Sequence, residues 1–246
     1  MRILLIRHGD PDYEKDSLTE RGWKEAELLA QRLAQEEITD FYVSPLGRAK
    51  DTASLTLRRM NQTAQECEWL REFQPRIWKP YEEKQGVHED SVVWDWLPSE
   101  WTKSEEFFRR DQWYTQKSMT DAGIKEEYDW VVECFDAVLK DHGYVRKGDL
   151  YQADWSNRET LVFFCHFGVS CVILSHLLNV SPMVLWHGLS LAPSSVTTLY
   201  TEERRRGVVL FRASAIGDTS HLYAGGMKPA FAARFCEIYD SDERHD

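Results

Sequence analysis

Two uninterrupted apolar runs, Ile3-Leu4-Leu5-Ile6 and Leu161-Val162-Phe163-Phe164-Cys165, constrain this chain more than anything else in it. A strand with one wet face alternates apolar and polar residues, whereas a strand covered on both faces does not. Both runs therefore predict strands sandwiched between helices. Each stops abruptly, the first at Arg7-His8-Gly9 and the second at His166-Phe167-Gly168. In open α/β sheets the carboxyl ends of the strands are where ligands bind, and Gly9 lets the backbone turn sharply or pass close to a bound group. Taken alone, Arg7-His8-Gly9 reads equally well as a strand end with a solvated arginine and histidine.

The segments between the two runs alternate strand and helix. Asp10 to Asp16 is a polar loop rich in carboxylates that holds Tyr13. Thr19 is a candidate N-cap for a helix whose Ala26, Leu29, Ala30 and Leu33 share one face, with Ser17 and Glu20 spaced as a capping box. Phe41-Tyr42-Val43 predicts a short strand. The Ser44-Pro45 pair after it predicts an N-cap and first turn, which puts Arg48 at a helix start where an anion is already favoured. Cys67 to Leu70 reads as another short strand, followed by Arg71-Glu72-Phe73. Downstream, Val169 to Leu178 predicts an apolar helix and Ser181-Pro182 opens another. Val196–Tyr200 and Val208–Phe211 form a hairpin around a charged tip, and a short helix follows the loop that contains His221.

From Gln74 to about Glu159 the character changes, with Trp78, Trp94, Trp96, Trp101, Trp113, Trp130 and Trp155 all falling there. One helix is legible around Glu126 to His142. We read residues 74–159 as an inserted, Trp-rich cap over the strand ends, whose Trp and Tyr side chains either line a substrate pocket or form the cap's own core. The whole, 1–246, is expected to be a single domain with a three-layer α/β/α fold and a mostly parallel central sheet.

Composition narrows the function. A formal net charge of -11 argues against a nucleic-acid or anionic-membrane partner, because phosphate backbones attract basic surfaces. No stretch has the length of a bilayer span. Met1-Arg2 leads straight into a four-residue apolar run, too short for a secretory h-region. Five cysteines without a CxxC pair predict reduced thiols and a cytoplasmic protein. Cys165 reads as a small core residue. Asp10 and Asp12 lack metal-ligand spacing, so no metal and no other cofactor is expected.

Bringing Arg7, His8, Arg48 and His166 to one sheet edge would make an anion site. Guanidinium suits phosphate because its planar fork binds two oxygens at once. The four segments Arg7-His8-Gly9, Leu18-Thr19-Glu20-Arg21-Gly22 with Glu25-Ala26, Ser44-Pro45-Leu46-Gly47-Arg48-Ala49 with Thr52-Ala53, and His166-Phe167-Gly168 together resemble the histidine phosphatase superfamily, the phosphoglycerate-mutase-like group. The resemblance spans the core and leaves out 74–159.

That resemblance implies covalent catalysis on a small phosphorylated substrate. His8 would be the nucleophile, kept neutral by surrounding cations. Arg7, Arg48 and His166 would grip the phosphoryl oxygens, with a satisfied core histidine as the other reading of His166. The superfamily's general acid and base would fall on Glu72. Here Phe73-Gln74-Pro75 departs from the usual pattern, so Glu82, Glu83 and Glu89 stand in reserve, as does a merely solvated Glu72. Asp10, Tyr13 and His221 are expected near the site. The alternatives are a phosphoglycerate mutase, against which the continuation Asp10-Pro11-Asp12 counts, and a catalytically silent protein that binds a phosphorylated ligand.

Overall fold

The computed structural model describes residues 1–79, 90–231 and 238–241. In chain order the elements are β1 (Arg2–Arg7), β2 (Pro11–Asp12), β3 (Ser17–Leu18), α1 (Glu20–Leu33), β4 (Asp40–Val43), α2 (Gly47–Met60), β5 (Gln65–Glu66), β6 (Arg76–Trp78), β7 (Asp90–Val92), α3 (Pro98–Trp101), α4 (Lys117–Thr120) and α5 (Ile124–Asp141). They continue with β8 (Tyr144–Lys147), β9 (Leu150–Ala153), β10 (Thr160–Cys165), α6 (Phe167–Leu178), α7 (Pro182–Gly188), β11 (Val196–Arg205), β12 (Val208–Asp218) and α8 (Ser220–Ala224). Eight strands form one sheet in the order β5-β4-β10-β1-β11-β12-β9-β8.

Both apolar runs are central strands. Leu4 and Ile6 of β1 face one buried cluster with Leu29 and Leu33 of α1 and Ala49 and Ala53 of α2. Ile3 and Leu5 face the other, with Phe135 of α5 and Val172 of α6. Fully burying an aliphatic side chain contributes about 2 kcal/mol, and these strands do it on both faces. Helix α6 is apolar almost all round because it runs through the interior, with ten of its twelve residues buried.

The sheet is mixed. β5, β4, β10 and β1 are parallel, as the apolar runs imply. β11, β12, β9 and β8 are antiparallel, because β11–β12 and β8–β9 are closed by the two-residue turns Arg206-Gly207 and Gly148-Asp149, and only antiparallel neighbours accept such short links. Both turn glycines lie at positive φ.

Local expectations are met or shifted for identifiable reasons. Thr19 caps α1 by accepting the Gly22 N–H, while Ser17 sits in β3 and donates to Asp51 rather than forming a capping box with Glu20. Helix α2 starts at Gly47, with Leu46 as its N-cap and no side chain capping it, so Ser44 is not a cap. Cys67 to Leu70 is no strand: a 3₁₀ turn over Glu68–Leu70 follows β5, burying Trp69 and Leu70. The 74–159 stretch is divided rather than gathered into a cap. β6, β7, α3 and α4 lie outside the central sheet, whereas α5 covers one of its faces and β8 and β9 extend it. The amphipathic face of α5 forces this, since Val131, Val132, Phe135 and Leu139 need apolar cover and find it on the sheet. Trp113 and Trp96 join the same continuous core.

Candidate active site

Strand register assembles the site. β1, β10 and β4 are parallel neighbours, with Arg7 opposite Cys165 and Phe164 opposite Val43. One step beyond these pairs, His8, His166 and Ser44 emerge side by side at the carboxyl edge of the sheet. The ladder extends to hold them there: the His8 N–H donates to Cys165 O at 3.0 Å and the Ser44 N–H to Phe164 O at 2.9 Å. Two further bonds fix the turn after β1. Ser194, itself in the left-handed region, donates its N–H to His8 O at 2.9 Å, and the Gly9 N–H donates to Thr52 Oγ1 at 2.9 Å. Gly9 is required because a Cβ there would stand 2.9 Å from Gly22 O, a backbone atom that cannot swing away.

His8 and His166 are both buried, with ring centroids 5.1 Å apart. The Nδ1 of His8 is 2.7 Å from Gly9 O, and a carbonyl only accepts. His8 therefore carries its proton on Nδ1 and keeps Nε2 bare. Burial, followed by the Arg7 guanidinium and then Arg48, holds His8 well below the ordinary 6.5, against the bond to Gly9. His166 is held down in the same way, first by burial and then by His8, Arg48 and Arg7. Both imidazoles are neutral at pH 7.

The two guanidiniums flank them. Arg7 donates from Nη1 to Leu191 O at 2.6 Å; burial lowers its pKa while Tyr13 and Glu72 oppose the shift, and it stays charged. Arg48, in the first turn of α2, donates from Nη1 to Asp16 Oδ1 at 2.6 Å, and the other Asp16 oxygen accepts the Gly47 N–H at 2.6 Å. The Nε of Arg48 and the Nδ1 of His166 are buried with no hydrogen-bond partner. Each such group costs about 1–3 kcal/mol, a cost that an anion offering acceptors to both would remove.

Glu72 belongs to this cluster. Its Oε1 accepts the N–H of Phe73 at 2.8 Å and that of Val169, in the first turn of α6, at 3.2 Å. Burial raises its pKa above the ordinary 4.5, opposed by those two N–H groups and by Arg7 and Arg48. A cleft of about 580 Å³ opens beside it, lined by Leu46, Arg71, Gln74, Pro75, Gly123 and Glu126 among others. No tryptophan or tyrosine lines that cleft, but Trp94 stands on the other side of Glu72: a Cβ on Gly168 would meet both Glu72 Oε1 at 2.7 Å and Trp94 Nε1 at 2.9 Å. The reserve carboxylates Glu82, Glu83 and Glu89 lie outside the described residues.

The remaining expected neighbours brace the site. Tyr13 is largely exposed, with its ring 5.5 Å below the Arg48 guanidinium. Asp10 accepts from Thr19 Oγ1 at 2.7 Å, and its N–H donates to the buried Glu25 at 2.9 Å, so it shapes the loop after β1. His221 Nε2 lies 3.2 Å from the Oγ of Ser194, the residue whose own N–H holds His8 O. Cys165 is a buried core thiol, its pKa pushed up to about 12 by burial. Asp16, Ser44, Thr52 and Ser194 were not singled out as site residues from sequence. Among the described residues no group of three or more His, Cys, Asp or Glu is arranged to hold a metal ion, and no helix is long and apolar enough to cross a membrane.

A family model described as the histidine phosphatase superfamily (branch 1) matches residues 3–214. The chain belongs to this superfamily. Among curated relatives, the mitochondrial serine/threonine-protein phosphatase Pgam5 of Caenorhabditis briggsae is 44% identical over 62 residues, 24% of this chain and 22% of that protein. A 2,3-bisphosphoglycerate-dependent phosphoglycerate mutase of Thermoplasma acidophilum is 36% identical over 69 residues, 24% of this chain and 34% of that protein. These matches thus span between about a fifth and a third of the relatives' lengths. Of solved structures, phosphoserine phosphatase from Entamoeba histolytica, as a histidine-to-alanine variant with phosphoserine, aligns with a TM-score of 0.56 at 18% identity, covering 90% of this chain and 98% of that one. Mycobacterial glucosyl-3-phosphoglycerate phosphatase with VO3 aligns at 0.54 and 16% identity, covering 89% and 99%. At such identities these two likenesses establish the superfamily fold.

Proposed function

We propose that this chain is a phosphomonoester hydrolase that acts on a small phosphorylated metabolite through a phosphohistidine intermediate. One observation carries the reading: a neutral His8 with a bare Nε2 is surrounded by Arg7, Arg48 and His166, whose buried donors include two without partners. A phosphoryl group fits that arrangement in charge, in acceptor count and in its need for a nucleophile.

In the first step the Nε2 lone pair of His8 attacks phosphorus, the bond from phosphorus to the leaving oxygen breaks, and Glu72 gives that oxygen its proton. Arg7, Arg48 and the Nδ1–H of His166 hold the equatorial oxygens and neutralise charge as it spreads over them. In the second step the Glu72 carboxylate takes a proton from water, the resulting hydroxide attacks phosphorus, and the N–P bond breaks to release phosphate and His8. Burial suits Glu72 to the task, because a raised pKa keeps a proton available nearer to neutral pH.

The test is direct. With p-nitrophenyl phosphate, His8→Ala is expected to lose at least about 10³-fold in kcat, and the unsubstituted protein quenched in turnover should carry an acid-labile, base-stable phosphoryl group on His8. Equal rates in the two proteins would refute the reading. A coupled assay for conversion of 3-phosphoglycerate to 2-phosphoglycerate separates hydrolysis from mutase chemistry.

A further inference from the structure

A serine followed by proline at a helix start normally caps the helix with its hydroxyl. Ser44 does not, since α2 begins three residues later and has no side-chain cap. Its hydroxyl is fully buried and stands 2.7 Å from His166 Nε2 and 3.3 Å from the Leu46 amide nitrogen. A hydroxyl has one proton and two lone pairs, and an amide N–H can only donate. Leu46 therefore takes a lone pair of Oγ. Among the described residues the remaining partner of the hydroxyl is His166 Nε2, so the Ser44 proton has an acceptor only if that nitrogen is bare.

A neutral imidazole carries a single N–H. With Nε2 accepting from Ser44, the proton of His166 sits on Nδ1, the nitrogen that is buried without a partner. The opposite tautomer would leave the Ser44 proton without an acceptor and turn a bare lone pair toward any phosphoryl oxygen beside Nδ1. Resting on the phosphatase reading above, we propose that Ser44 is a positioning residue that selects the Nδ1–H tautomer of His166, so that an uncharged histidine offers a donor to the phosphoryl group. His8 and His166 then share one tautomer for opposite purposes. In His8 the Gly9 carbonyl holds the proton on Nδ1 and frees Nε2 to attack; in His166 the Ser44 hydroxyl occupies Nε2 and frees Nδ1–H to bind.

Two-bond ¹H–¹⁵N correlation spectra of the imidazoles in ¹⁵N-labelled protein, with His166 assigned by loss of its signals in His166→Gln, read the tautomer directly. Unsubstituted protein is expected to show His166 protonated at Nδ1 and bare at Nε2. In Ser44→Ala the two nitrogen shifts should move toward a mixture or the reverse, and Ser44→Thr, which keeps the hydroxyl, should restore the original pattern. Affinity for inorganic phosphate should fall at least about tenfold in Ser44→Ala, the size of one charge-assisted hydrogen bond. A His166 protonated on Nε2 in the unsubstituted protein, a tautomer indifferent to Ser44→Ala, or an Ala variant that binds phosphate undiminished would each overturn the proposal. The first measurement needs no folded variant other than the assignment control. Failure of the phosphatase reading would look different: an unsubstituted protein with the expected tautomer that neither binds phosphate nor turns over a monoester.

Discussion

Replacing Glu72 by Gln isolates one proton. The amide keeps a carbonyl oxygen where Oε1 now accepts the N–H groups of Phe73 at 2.8 Å and Val169 at 3.2 Å, so the link to the start of α6 survives and the melting temperature should move little. What disappears is the ionisable group. General acid–base catalysis by a positioned side chain supplies about 10²–10⁴-fold, or roughly 2.7–5.4 kcal/mol at 1.36 kcal/mol per tenfold. That amount is needed only where the leaving oxygen demands a proton. For a simple alkyl phosphate, whose alkoxide is a poor leaving group, kcat/KM should fall by about 10²–10⁴. For p-nitrophenyl phosphate the phenolate leaves unprotonated, and because kcat/KM reports steps only up to transfer onto His8, the loss should stay below about tenfold. The second step still needs Glu72 as base, so kcat falls for both substrates and phosphohistidine should accumulate in the variant with a burst of nitrophenolate. Equal losses of kcat/KM for the two leaving groups would remove Glu72 from the acid's role.

The structure supports two further tests. A Cβ on Gly168 would stand 2.7 Å from Glu72 Oε1, 2.9 Å from Phe73 O and 2.9 Å from Trp94 Nε1, so Gly168→Ala should push Glu72 off the Val169 N–H and lower kcat/KM for alkyl phosphates at least about tenfold. The loss should be far less than additive with Glu72→Gln, because both act on one group, and an additive double variant would refute the coupling. His221 is pushed down to about 4, first by burial and then by Arg32, with Asp218 opposing. In the unfolded chain it titrates near 6.5, so the unfolded state takes up its proton first. Stability should therefore be unaffected by this group above pH 6.5, decline as pH falls toward about 4, and lose at most about 3 kcal/mol there. Urea unfolding across that window should show a shallower decline in His221→Asn, and an unchanged slope would refute the assignment.

Much of the site was legible because its parts are local. Arg7-His8-Gly9 and His166-Phe167-Gly168 end apolar runs that have to be buried strands, Arg48 stands in the first turn of a helix, and these facts need only a few neighbouring residues to read. Thr19 as the cap of α1 was readable for the same reason. Short apolar stretches were less legible: Cys67 to Leu70 has a strand's composition but turns as a 3₁₀ helix, because four residues carry too little periodicity to separate the two. The amphipathic face of α5 was plain, yet nothing in it says which surface it covers, so a helix and two strands of the central fold read as parts of a cap.

Residue order alone determined which side chains sit at the ends of buried strands and at a helix start, and hence that Arg7, His8 and His166 at the strand ends and Arg48 at the helix start had to be accommodated. Only the tertiary structure decided their partners. A hydroxyl or carboxylate can satisfy its own backbone or a group a hundred residues away, and the local sequence is the same in both cases. Ser44 meets His166 rather than capping α2 because the parallel register of β4 and β10 brings their ends within hydrogen-bond reach, and Glu72 reaches the start of α6 from the turn after Leu70. Register is set by packing on both faces of the sheet at once, a property of the assembled layers and of no single segment.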